Sequence, residues 1–155
     1  LGENSVKTIL LSEGDVIRYK ESRFDIISPS AVMLASKELN DTSIVAELSS
    51  NNSRTLFTGD ISAAVESKLL TSDVDILKVA HHGSKFSSSA GFLAALRPAV
   101  AVVEVGKNSY GHPTKDTLGR LAAVGARIFR TDLDGTVKVL IGGGNIRIFK
   151  ENKGY

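Results

Sequence analysis

The chain contains no cysteine and no tryptophan, and only one methionine and three prolines, in 155 residues. Without cysteine there is neither a disulfide framework nor a thiolate zinc site, and the chain suits reducing and oxidising compartments alike. Histidine is scarce as well. His81, His82 and His112 are the only three, which caps the imidazole ligands of any metal site in this chain. No run of five or six like charges occurs, and 19 basic against 17 acidic side chains leave a formal charge of +2. Charge alone therefore argues for no partner, nucleic acid included. The longest apolar runs, such as residues 99–103, fall far short of the ~20 residues a membrane helix needs, and no secretory signal pattern is visible. With 42% hydrophobic and 23% charged residues, one compact domain is the natural expectation and bulk disorder is excluded. The chain starts at Leu1 rather than methionine, and reads as soluble and as a piece of something longer.

Hydrophobic periodicity divides the chain in two. The first part reads as short strands: Val6 to Leu11, then Val16, Ile17 and Tyr19 after the turn Glu13-Gly14-Asp15, then Phe24, Ile26 and Ile27 ending at Pro29. Ile44 to Leu48 and Arg54 to Thr58 form a further pair around a turn spanning Ser49 to Ser53. Helical spacing then appears in Ile61, Ala64, Val65, Lys68 and Leu69. Asp75 to Ala80 is a strand that stops at His81-His82-Gly83-Ser84. A serine cap at Ser88 or Ser89 starts a helix closed by Arg97-Pro98, and the wholly apolar Ala99 to Val103 suits a strand covered on both faces. Thr114 caps another helix closed by Gly125, Arg127 to Arg130 is the next strand, and two last strands flank Gly142 to Asn145. Antiparallel strands giving way to strand-helix alternation predict a sheet with helices packed on it.

Candidate chemistry sits at strand ends. Asp60 follows Gly59 after one apolar strand, and His81-His82 follows another, which puts an oxygen donor and imidazoles on loops at one sheet edge. That donor set favours zinc, manganese or iron over calcium, which prefers oxygen alone. Singly, each element has a plainer reading. Asp60 suits a cap on the helix from Ile61, adjacent histidines diverge so that at most one binds a given metal, and Gly111-His112-Pro113-Thr114 suits a turn before a helix. Phosphate-loop and dinucleotide patterns are not met: Ala101 stands where Gly106-Lys107 would need its glycine, and Arg147 where Gly142 and Gly144 would need theirs.

In combination the motifs are more specific. Asn40-Asp41-Thr42-Ser43, Thr58-Gly59-Asp60, Leu77 to Ser84, Tyr110-Gly111-His112-Pro113 and Arg130 to Gly135 occur in an order that resembles the metallo-β-lactamase-like hydrolase domain of ComEC-type DNA-uptake proteins and its free-standing secreted relatives. The resemblance runs from about Val6 to Ile148. It implies an α/β (α+β) fold, half of an αββα sandwich, with a mixed sheet and helices on one face. It further implies a site for two metal ions, usually zinc with manganese as an option. Asp60 matches the carboxylate bridging the metals, and the His81-His82 pair matches the motif completing one metal's shell, one ring as ligand and the other facing substrate. The resemblance casts His82 and His112 as catalytic, His112 as the substrate-contacting or proton-donating group at the mouth. Asn40 and Asp41 order the loop beside it, and Ser84 and Lys85, with Ser87 to Ser89, either touch an anionic phosphate or form a solvated loop. Asp132 and Asp134 read as turn residues. Implied partners are DNA or another phosphoester, with a membrane engaged only through other parts of a membrane-bound or secreted parent whose hydrolase domain is extracytoplasmic.

One departure is large. The family's H-x-H-x-D-H signature and the further histidine before the bridging aspartate do not occur here, since all three histidines lie at or after position 81. Residues 1–155 therefore read as a single-domain fragment, the carboxyl half of that domain. One aspartate and one or two histidines cannot close a dinuclear shell, so zinc binding is expected to be weak or absent in the chain and catalysis to be absent in isolation. Loss of a paired sheet is expected to expose an apolar face and favour self-association. Two other readings stay open: a degenerate, non-catalytic binding or assembly domain, and a free-standing hydrolase of another phosphoester.

Overall fold

A computed structural model of the chain describes residues 8–69, 71–142 and 144–151. Seven strands form one sheet in chain order: β1 (Val16–Tyr19), β2 (Ser22–Ser28), β3 (Val45–Ser50), β4 (Ser53–Phe57), β5 (Ile76–Lys78), β6 (Val100–Val103) and β7 (Arg127–Arg130). The first four pair antiparallel as a meander, and β4 through β7 pair parallel. Crossovers between the parallel strands carry α1 (Ala63–Glu66), α2 (Ala90–Leu96) and α3 (Lys115–Ala123). After β7 come one helical turn, α4 (Thr131–Asp134), and a hairpin of β8 (Val137–Gly142) with β9 (Asn145–Lys150).

The meander is sharper than the sequence suggests. Asn51 and Asn52 both take positive φ, 49° and 59°, so two residues make the turn, and Ser49, Ser50 and Ser53 are paired in the ladder instead. Asparagine tolerates the left-handed region because its short amide bonds locally. The expected strand before the Glu13-Gly14 turn does not form: Thr8 to Leu11 is irregular, with Ile9 and Leu10 69% and 90% exposed, while Val6 lies outside the described residues. Apolar alternation without a partner to bury against leaves no strand. The expected helix over Ile61 to Leu69 shrinks to the single turn α1, after which Lys68 and Leu69 make tighter i to i−3 bonds to Val65 and Glu66. Likewise the strand expected over 75–80 is only β5: Asp75 and Val79 still bond neighbouring strands through their backbone at its two ends, and Ala80 begins a 3-10 turn.

Alternation along the parallel strands separates two layers. Leu56, Leu77, Ala101 and Val103 face the helices and form the core with Val65, Phe92, Leu93, Leu96 and Leu121. The α/β mixed sheet with helices on one face is thus present. Phe57, Ile76 and Val102 face the other way, where Val137, Val139 and Ile141 of β8 close over them around a cavity of about 270 Å³. The face expected to be bare is therefore partly covered by this hairpin. Parallel pairing has one further consequence: the carboxyl ends of β4, β5 and β6 emerge at one edge, where ligand sites of such sheets lie.

Candidate functional site

Three strand ends deliver the candidate residues. Beyond β4, Thr58 Oγ1 donates to Lys78 O at 2.6 Å and Gly59 turns the chain with φ +52, so Asp60 leaves the sheet beside the exit of β5. A Cβ on Gly59 would stand 2.7 Å from that of Ser43, whose hydroxyl accepts Asp60 N at 3.2 Å. Beyond β5, His81 (φ 49, ψ 44) and His82 (φ 53, ψ 23) are consecutive left-handed residues. Such a pair persists only where its surroundings impose it. Here His81 N donates to Gly59 O at 3.0 Å, His82 Nδ1 bonds Glu104 O at 2.7 Å, and Gly83 O accepts from Thr114 N at 2.9 Å.

Gly83 welds the histidine loop to the loop before α3. A Cβ there would come 2.5 Å from Pro113 Cβ, and the backbone has φ +83. Thr114 caps α3 by accepting Thr117 N, and Thr117 in turn donates its hydroxyl to Ser84 O at 2.9 Å. These contacts bring His112 to His81, ring centroids 5.8 Å apart and edge-on. Tyr110 stacks on the other ring neighbour, His112, at 6.0 Å and 27°.

The polar geometry has two centres. His82 Nε2 lies 3.8 Å from Asp60 Oδ2. A carbonyl only accepts, so the bond to Glu104 O assigns the proton of the neutral ring to Nδ1 and leaves the Nε2 lone pair facing the carboxylate. At the second centre, His112 Nδ1 is buried with no hydrogen-bond partner among the described residues. Burial, and then the neighbouring His81 and His82, push the His112 imidazole below its ordinary value.

The remaining expected residues divide. Asp41 Oδ1 accepts Ser62 N at 3.1 Å and Asn40 O accepts Ser43 N at 3.1 Å, so both lie in the turn that braces the Asp60 loop. Buried Ser84 and exposed Lys85 line a cavity of about 430 Å³ together with His81 and His112. Asp132 and Asp134 are engaged by Arg130 and Lys150, at 2.6 and 2.8 Å, far along the β7 exit.

Three supports escape sequence reading. Asn108 uses its whole amide: Nδ2 donates to Gly106 O and His112 O, and Oδ1 accepts Tyr110 N and His112 N, all at 2.9–3.1 Å. Glu66, 2% exposed, accepts the backbone N–H groups of Ser88 and Ser89, and Arg120 donates to Ser88 O at 2.7 Å and Ser87 O at 2.9 Å. These residues hold the two loops that frame His112. The signal for Asn108 is its place between two glycines in Gly106 to Gly111, a loop closed by an amide. Glu66 carries no such signal, because at helical spacing it falls on the side away from Ile61, Ala64, Val65 and Leu69.

Asp60 and His82 offer two donors, and among the described residues no group of three or more His, Cys, Asp or Glu side chains is placed to hold a metal ion. The residues present therefore do not fit a closed metal shell by themselves.

No family model matches the chain. It is 34% identical to ComE operon protein 3 of Bacillus subtilis over 141 residues, covering 88% of this chain and 18% of that protein. Competence protein ComA of Neisseria gonorrhoeae is 34% identical over 114 residues, 70% of this chain and 16% of the relative. Recombination protein 2 of Haemophilus influenzae is 32% identical over 119 residues, 75% of this chain and 15% of the relative. The chain thus spans under a fifth of the length of these relatives. Among solved structures, a protein of Parabacteroides distasonis assigned as a metal-dependent hydrolase superposes with a TM-score of 0.53 at 13% identity, over 80% of this chain and 57% of its own. That likeness shows the fold. The chain belongs to the ComEC-type competence-protein family.

Proposed function

We propose that this chain supplies part of the active site of a metal-dependent phosphodiesterase or nuclease within a longer competence protein, acting on DNA or a related phosphoester. The observation that carries the reading is the pair Asp60 and His82: a carboxylate and an imidazole Nε2 lone pair 3.8 Å apart, with the ring fixed through Nδ1 on Glu104 O. A backbone carbonyl on the far nitrogen is the usual support of a metal-ligating histidine. Two bare electron-rich donors at that distance gain nothing from each other without a cation or proton between them. Zinc or manganese is the fitting class of ion for one oxygen and one nitrogen donor. The other ligands come from the parent outside this chain, so the isolated chain is inactive and binds metal weakly. His112, whose charged form is disfavoured by burial and by His81 and His82, contacts the substrate as a hydrogen-bonding neutral imidazole, while Ser84 and Lys85 face the phosphate. His81 is the alternative ligand, and its ring edge instead packs on His112. The parent engages a membrane through its other segments, with this domain outside the cytoplasm; among the described residues no helix is long and apolar enough to span a bilayer.

In the parent protein, Asp60→Ala is expected to abolish manganese- or zinc-dependent cleavage of a phosphodiester, a loss of at least a hundredfold by the weight such groups carry. Unchanged turnover contradicts the assignment. A second reading, a non-catalytic domain that keeps the fold for binding or assembly, is favoured by the incomplete donor set. It predicts a parent without metal-dependent cleavage even with Asp60 intact.

A further inference from the structure

Two exposed aromatic rings frame the site. Phe86 is 68% and Tyr110 80% exposed, in a chain with only nine aromatic residues of the Phe, Tyr and Trp class. Exposed rings scattered singly need no explanation, but these two line the same cavity of about 430 Å³ beside His81 and His112. Lys85 Nζ lies 5.0 Å from the Phe86 ring centroid, so a cation sits next to the ring. Tyr110, stacked on His112, is also the wall of a second cavity of about 380 Å³ that contains Lys107. The Tyr110–His112 stack therefore partitions two chambers, each with one lysine and a shared aromatic wall.

The backbone beneath each ring is braced. Asn108 fixes the Tyr110 backbone by accepting its N–H at 3.1 Å, and Ser84 Oγ accepts Phe86 N at 3.3 Å. Rings on braced loops are pre-organised, which lowers the entropy cost of ligand contact. Flat apolar rings beside lysines match one ligand chemistry, a strand whose unpaired bases stack while its phosphates meet the cations. A duplex keeps its bases stacked on each other and offers no free face to these rings.

We propose that Phe86 and Tyr110 are base-stacking residues that select an unpaired nucleotide strand, seating one nucleotide on each side of His112 with Lys85 on a phosphate. The inference rests on the phosphoester reading above and deepens it. It assigns strand selectivity to two residues that take no part in the bond-breaking step.

The test is binding, measured on this chain without metal so that it does not depend on hydrolysis. Fluorescence anisotropy with a labelled oligothymidylate is expected to give saturable binding that an equal-length duplex does not match. Phe86→Ala and Tyr110→Ala should each weaken it about tenfold, with Tyr110→Phe close to the parent chain. The same strand made abasic should bind about as weakly as the double alanine variant. Affinity should fall with salt at a log–log slope of about −0.7, for the one phosphate that Lys85 meets. Equal affinity for duplex and single strand, full affinity for the abasic strand, alanine variants with unchanged affinity, or no binding at all overturns the proposal. Both rings are exposed, so truncation should leave the thermal transition in place, and a lowered transition would replace the stacking account with a structural one. Failure of the Asp60→Ala experiment instead strikes the hydrolase reading and leaves these binding outcomes unchanged.

Discussion

His112 shows what a single side chain can report. Burial and the adjacent His81 and His82 disfavour its charged form in the fold. A folded value below the unfolded ~6.5 means that the unfolded chain binds the proton more readily. The stabilising contribution is therefore fully present above pH ~6.5 and is lost as pH falls through the folded value. Nuclear magnetic resonance should find the His112 imidazole titrating below the free-residue range, and His112→Gln should flatten the stability profile just below neutrality. A His112 value at or above the free range contradicts this. Gly83 makes a separate case. With φ +83 and a Cβ that would stand 2.5 Å from Pro113 Cβ, Gly83→Ala should cost about 2 kcal/mol or more in urea unfolding. Gly111, at φ +74 with nothing within 4 Å of its would-be Cβ, should lose less on the same change, because only the conformational part applies.

At the scale of elements, the loops matter more than the helices. The segment between β5 and α2 crosses the site, and Glu66 on α1 and Arg120 on α3 grip it from two sides. Glu66→Ala leaves the buried N–H groups of Ser88 and Ser89 without an acceptor, a cost of about 1–3 kcal/mol measurable by urea unfolding. An unchanged midpoint would remove Glu66 from the account. Legibility in the sequence follows the same division. The strands were readable where apolar residues alternate against a partner, as in Val137 to Ile141, or run unbroken under cover on both faces, as in Val100 to Val103, because the pattern records burial. Thr8 to Leu11 shows the converse, an apolar run with no sheet to join. The motif residues Asp60, His81, His82 and His112 were readable because they follow strand ends. What brings them together was not. Two consecutive left-handed histidines, the Gly83–Pro113 contact and the Asn108 amide arise from loop packing, and no local pattern encodes it.

For the whole molecule, the central strands β4 to β6 bury one face under the helices and share the other with the β8–β9 hairpin, while β1 at the sheet's edge is exposed throughout. Helices α1 to α3 cover Leu56, Leu77 and Ala101, whereas Phe57, Ile76 and Val102 meet the hairpin across a cavity. That arrangement leaves the sheet edge that carries Asp60 and His82 open, with exposures of 35% and 48% for those side chains. Such an edge is accessible to ligands from elsewhere in a protein several times longer than this chain, as the relatives are. The central claim is that the chain holds a partial metal site in Asp60 and His82. Metal analysis of the purified chain, loaded with zinc and then dialysed against metal-free buffer, measures it most directly. The account predicts far less than one zinc per chain; one tightly held zinc per chain, lost on Asp60→Ala, would contradict it.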